Sequence, residues 1–263
     1  MTAAARPVGS VDLGGKVALV TGGSRGLGRE IVLAFAAAGA DVVIASRKLP
    51  ACEEVADEVR KTTGRRAVPV ACHMGRWNDV DRLVETTYAE VGPVDILVNN
   101  AGMAPLYPSL SEMSEDLFDK VVGVNLKGPF RLTALAGQRM AAGDGGAIVN
   151  VSSIAAVRPT AGDLPYAAAK AGLNTLTAGF AQAYGPDVRV NGVMAGPFLT
   201  DISKAWDVEG FQAHAARRYA LGRLGRPEEI VGTVLYLASD LSTFTTGVVF
   251  PVDGGVLTSS PFP

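Results

Sequence analysis

Short apolar runs alternate with stretches of helical period along most of this chain. The runs at 16–20, 41–45, 67–72, 94–98, 147–151, 188–193 and 246–252 are mostly apolar at successive positions, as in strands buried on both faces. Between them, 29–38, 51–61, 78–90, 115–140, 166–184 and 227–238 read as helices. Gly39, Gly64 and Gly92-Pro93 are expected to stop three of these, Asn78 to cap the third, and Pro227 to sit in the first turn of the last. The alternation predicts the α/β class: a doubly wound parallel sheet of about seven strands with helices on both faces. Its ligand crevice should lie at the carboxyl ends of the strands. Residues 1–10 read as a flexible tail and 11–263 as a single domain. The segment 201–222, with Trp206, Phe211, His214 and Tyr219, breaks the pattern and reads as a lid or as a short surface helix pair.

Composition narrows the classes. A chain of 263 residues that is 48% hydrophobic can bury a large core. A formal charge of −2 without blocks of like charge argues against a nucleic-acid surface and against electrostatic membrane binding. No apolar run reaches membrane-span length. Cys52 and Cys72 lie in unrelated segments, so neither a disulfide framework nor metal spacing is present and a cytoplasmic location is expected. With only His73 and His214, a metal site or a Ser-His-Asp hydrolase is poorly supplied.

Two stretches carry chemistry. Thr21-Gly22-Gly23-Ser24-Arg25-Gly26-Leu27-Gly28 lies between the first strand and the first helix. Bare backbone N–H groups and a helix N-terminus there form an anion site, and glycine allows a pyrophosphate to approach; a tight turn with no ligand is the plainer reading. Further on, Tyr166 and Lys170 are four residues apart, one turn apart on a helix face. A lysine ammonium beside a phenol favours the phenolate and equips tyrosine as a general acid or base. Ser153, 13 positions upstream, could hold a substrate oxygen against that phenol; Ser152 is the neighbouring alternative.

Taken with Asn99-Asn100-Ala101-Gly102 and Asn125, these motifs resemble the short-chain dehydrogenase/reductase family in its compact single-domain branch, collinearly from about Leu13 to Gly255. The resemblance implies a Rossmann fold and an oxidoreductase that interconverts a carbonyl and a secondary alcohol by hydride transfer with a nicotinamide cofactor. Tyr166 would be the acid/base, Lys170 would lower its pKa and bind ribose hydroxyls, Ser153 would orient the substrate oxygen, and Asn125 would hold a water linking Lys170 to solvent. The nucleotide would lie along Gly22, Ser24, Arg25, Gly26, Leu27 and Gly28, with Asn100, Ala101 and Gly102 lining it and Asn99 serving structure. An acidic residue after the second strand would select NAD(H). Ser46, Arg47 and Lys48 stand there instead, and with Arg25 they favour NADP(H). His73 occupies a position where relatives often carry an adenine-contacting aspartate, so Met74 could meet the base; a histidine with no such role is the alternative. After the sixth strand Gly196, Phe198 and Thr200 would hold the carboxamide, although Ala195-Gly196-Pro197 departs from the family's proline-glycine order.

The late segments 221–229 and 252–255 suggest the 3-oxoacyl-carrier-protein reductase-like group, a label that spans many substrates. An NAD-dependent sugar, polyol or alcohol dehydrogenase and a non-catalytic cofactor-binding regulatory protein are the alternatives. The expected partners are a small carbonyl or alcohol substrate and further copies of the chain, as a homotetramer or dimer packed through the small-residue helices near 115–140 and 165–184.

Overall fold

The computed structural model describes residues 11–200 and 208–258. Among them, β1 (Val17–Thr21), β2 (Asp41–Ser46), β3 (Ala67–Ala71), β4 (Ile96–Asn99), β5 (Gly146–Ser153), β6 (Val188–Ala195) and β7 (Val249–Val252) form one sheet in the order β3-β2-β1-β4-β5-β6-β7. Every pairing is parallel. The helices are α1 (Gly26–Ala37), α2 (Leu49–Thr63), α3 (Trp77–Glu90), α4 (Glu115–Val122), α5 (Gly128–Ala141), α6 (Leu164–Tyr184), α7 (Val208–Arg218) and α8 (Val231–Ala238). The strand order reverses between β1 and β4, which opens a crevice at the carboxyl ends there.

The pleat explains the continuous apolar runs. On β1 and β2, Ala18, Val20, Val42 and Ile44 enter one core with Phe35 of α1, Val55 of α2 and Leu237 of α8. Their neighbours Leu19 and Val43 enter the opposite core with Leu83 of α3 and Leu132 of α5. Alternate side chains thus feed both faces. Pro69 and Pro251 sit only in β3 and β7, the two edges, where a missing N–H spoils no internal ladder.

Several expected boundaries move. Asn78 does not cap α3: the helix starts at Trp77 with Arg76 at the N-cap position, and Asp79 in the first turn accepts the His73 N–H at 3.3 Å. The last strand shortens to Val249–Val252, because Thr246 Oγ1 accepts the Val190 N–H at 3.0 Å and Gly247 turns at φ +77°. The 227–238 helix opens with a 3₁₀ turn at Pro227–Ile230. The long 115–140 helix carries a π-helical turn, Gly123–Lys127, between α4 and α5. The Asn125 side-chain amide donates to the Val121 carbonyl at 2.9 Å, the acceptor that an unbroken ladder would give to the Asn125 main chain. Part of the expected lid, Val208–Arg218, is the helix α7, while 201–207 and the tail at 1–10 lie outside the described residues. Among the described residues, no helix is long and apolar enough to cross a membrane.

Candidate active site

A cleft of about 830 Å³ runs along the carboxyl ends of the central strands. At one end β1 passes through the glycine turn into α1. Gly22 takes φ +66°, a left-handed conformation that favours glycine. A Cβ on Gly28 would run into the Gly22 carbonyl oxygen and the Asn100 side-chain amide, so α1 can approach the turn only with glycine there. Thr21 Oγ1 accepts the N–H groups of Asn100 and Ala101 at 3.0 and 3.1 Å, and Asn100 Nδ2 donates to the Thr21 carbonyl at 2.9 Å. These bonds lock the ends of β1 and β4 together under the cleft. Asn99 points away from it: its Nδ2 donates to Thr133 Oγ1 and Asn150 Oδ1 at 2.9 and 2.8 Å in a buried network.

The N-terminus of α1 is bare. Arg25 at its N-cap supplies no side-chain acceptor, and the first turn holds no acid. Ser24, Arg25, Gly26 and Leu27 face the cleft, as do Ser46, Arg47 and Lys48 from the end of β2. Ser24 Oγ donates to Ser46 Oγ at 3.0 Å, which pins the turn to that strand end. Uncapped N–H groups, a helix dipole and three cations on one side are the donor set that a dinucleotide phosphate requires, so the residues present fit such a group. Met74, Asn100, Ala101, Gly102, Gly196, Phe198 and Thr200 continue the walls. Two expected residues are placed otherwise. Gly28 packs behind the turn, and His73 Nδ1 accepts the Gly75 N–H at 3.1 Å rather than contributing to the cleft wall. Cys72 borders the cleft, but burial pushes its thiol up to about 12, which keeps it protonated.

At the other end Ser153 closes β5, while Tyr166 and Lys170 occupy the first two turns of α6. Pro165 in the first turn of α6 lacks an N–H where helices leave N–H groups unpaired anyway. A hydrogen bond from Ser153 lowers the Tyr166 pKa, but the larger effect is burial, which raises it. The nearby Asp163 carboxylate raises it further. Lys170 lies beside this phenol, one helical turn on. Its Nζ donates to the Val151 carbonyl at 2.7 Å and lies 5.8 Å from the centre of the Tyr166 ring. Lys170 is 3% exposed, and burial lowers its own pKa to about 8.

Asn125 lies outside the cleft wall. It is wholly buried, and its Oδ1 accepts the Met103 N–H at 3.2 Å while Nδ2 donates to the Met103 carbonyl at 2.8 Å. The π turn therefore acts as a bracket for the strand-four exit. The sequence pattern also gave no hint of the substrate-side wall of Met103, Leu106, Tyr107, Met113 and Ile154, because the first four lie in an irregular loop without a periodic signal and Ile154 opens a single 3₁₀ turn after β5. Phe211 of α7 joins that wall; Trp206 lies outside the described residues.

Known proteins share this frame. A family model described as Enoyl-(Acyl carrier protein) reductase matches residues 22–257. The short-chain dehydrogenase/reductase astE of Aspergillus oryzae is 39% identical over 250 residues, covering 93% of this chain and 96% of that protein. The L-xylulose reductase of Mus musculus is 39% identical over 252 residues, covering 94% and 99%. Among solved structures, L-sorbose reductase from Gluconobacter frateurii complexed with NADPH and L-sorbose superposes with a TM-score of 0.89 at 30% identity, covering 95% of this chain and all of that one. The chain belongs to the short-chain dehydrogenase/reductase family of oxidoreductases.

Proposed function

We propose that the protein is an NADP(H)-dependent oxidoreductase that interconverts a ketone and a secondary alcohol, with Tyr166 as the general acid/base. The observation that carries this reading is the convergence of Ser153, Tyr166 and Lys170 on a cleft whose far end is an uncapped helix N-terminus. Gly22, Ser24, Arg25, Gly26 and Leu27 would hold the pyrophosphate. Ser46, Arg47, Lys48 and Arg25 would bind a 2′-phosphate through charge-assisted bonds, and no carboxylate stands at the β2 end to repel it. When bound, the nicotinamide supplies the hydride.

The chain's own residues do the rest. Ser153 Oγ holds the substrate oxygen and stabilises charge developing on it. Tyr166 Oη gives that oxygen a proton in reduction and takes one in oxidation. Burial raises the phenol above its ordinary pKa, so in reduction the Tyr166 proton is at hand for the substrate oxygen. Lys170, held by Val151, offers its ammonium to a ribose hydroxyl, and Asn125 fixes the backbone of Met103 in the cleft wall. The wall of Met103, Leu106, Met113 and Ile154 suits a ketone with a hydrocarbon body, while Arg158, Thr160 and Asp163 in the same lining offer polar contacts to its substituents. Exposed Phe130 beside Leu126, Gly172 and Leu176 on α5, the π turn and α6 supports self-association through that face.

The test is oxidation of NADPH and NADH by the purified chain against 3-oxoacyl thioesters, diketones, quinones, aldehydes and keto-sugars, with Tyr166→Phe as control. Turnover with NADPH that disappears in the variant supports the reading. Preference for NADH overturns the assignment of Ser46 and Arg47, and tight NADPH binding without any turnover favours a non-catalytic binding protein.

A further inference from the structure

The catalytic helix lacks a cap from its own neighbourhood. Asp163 occupies the N-cap position of α6, but its side chain caps nothing; its Oδ1 accepts the Thr160 N–H at 2.7 Å instead. Pro165 has no N–H, and the Ala167 N–H reaches the Asp163 carbonyl at 2.8 Å. The Leu164 N–H, the first of the helix, is taken from outside. Its acceptor is the phenol oxygen of Tyr107, 57 positions away in sequence, at 3.2 Å. The same oxygen donates its proton to the Ala161 carbonyl at 2.6 Å.

We propose that Tyr107 is a positioning residue: one hydroxyl clasps the substrate-side loop onto the helix that presents Tyr166, and so couples closure over the substrate to the aim of the acid/base. Leu164 is two residues before Tyr166, so an anchor on its N–H fixes the turn from which the phenol projects. Tyr107, Leu106 and Met113 all line the cleft, so a substrate pressing on this loop bears directly on the clasp. The ring fills the wall and the hydroxyl holds the helix, and the two functions can be separated chemically. The coupling to turnover rests on the ketone-reductase reading above; the clasp itself does not.

Tyr107→Phe keeps the ring and removes the hydroxyl. Amide hydrogen exchange, which needs no turnover, is expected to quicken in residues 160–167 and to stay unchanged in β1 and α1. Against a ketone found for the parent chain, kcat is expected to fall about tenfold, the order of effect of a small displacement of a reacting group. The NADPH dissociation constant and the thermal midpoint should be unchanged, a split that a merely structural role would not give. Unchanged exchange overturns the clasp, and quickened exchange with unchanged kcat overturns its catalytic part. A parent chain inert towards every carbonyl, with Tyr166→Phe no different, sinks the ketone-reductase reading and with it the coupling, while the exchange result still decides the clasp.

Discussion

The two ends of the cleft are built on opposite principles. The nucleotide end is backbone and surface charge: glycines that cannot carry a Cβ, an uncapped helix start, and the exposed side chains of Arg25, Arg47 and Lys48. The chemical end is buried polarity: Lys170 at 3% exposure, Asn125 wholly enclosed, and a phenol pushed upward by desolvation. Binding of a large anion needs accessible donors that can give up water cheaply, whereas proton transfer needs groups whose charge states have been displaced from their solution values. Substitutions should therefore fail differently at each end.

The largest expected effect breaks the chemical end alone. Tyr166→Phe removes the transferable proton and leaves the ring, so kcat should fall about 10²- to 10⁴-fold, while NADPH titration gives the parent affinity. Next is a break in shape at the nucleotide end. Gly28→Ala would push a Cβ into the Gly22 carbonyl oxygen and the Asn100 amide, both backed by the sheet. Overpacking of this kind costs about 3 kcal/mol, which calorimetry would read as a midpoint lowered by about 10 °C. A charge change at the same end comes third. Ser46→Asp places a carboxylate where a 2′-phosphate would sit and breaks the Ser24–Ser46 hydrogen bond. NADPH should bind about 10- to 100-fold more weakly, with NADH gaining relative to it.

The sequence reveals the two ends unequally, for physical reasons. Spacing of four on a helix puts Tyr166 and Lys170 on one face whatever surrounds them, and a glycine turn between strand and helix is a local pattern. The parallel sheet is equally local, because strands buried on both faces lose the period of two. What escapes is set by contacts distant in sequence. The acceptor that the Lys170 ammonium finds is one such contact, the Val151 carbonyl. Asn125 looks like an unfavourable residue inside a long helix; only the fold shows that Met103 and Val121 take its amide and that the helix widens to allow this. His73 is placed by its own loop, through the Gly75 N–H, and no spacing rule reports that. The Tyr107 contact joins an irregular loop to the start of α6, 57 positions away, and has no periodic signature.

The smallest expected effect on stability runs against the intuition that catalytic residues stabilise their protein. Lys170 is buried with its pKa lowered to about 8 from the ordinary 10.5, so folding works against its charge. Below pH 8 it is protonated in both states and that cost is fully present. Between about 8 and 10.5 the unfolded chain binds the extra proton, so stability should rise with pH through that window. Tyr166 has the opposite sign near the top of the window. Its folded pKa lies above the ordinary 10, so the unfolded chain loses its proton first and stability falls as pH rises past 10. Lys170→Met removes the buried charge, a gain of about 3 kcal/mol from a shift of this size. It also strands the Val151 carbonyl, a loss of about 1–3 kcal/mol. The net expectation at pH 7 is a variant without turnover whose thermal midpoint equals or exceeds the parent's by about 2–4 °C, and whose stability no longer climbs between pH 8 and 10. A midpoint well below the parent's would mean that the ammonium's bond to Val151 outweighs its desolvation, and the chemical end would then be held together by the same charge that it uses.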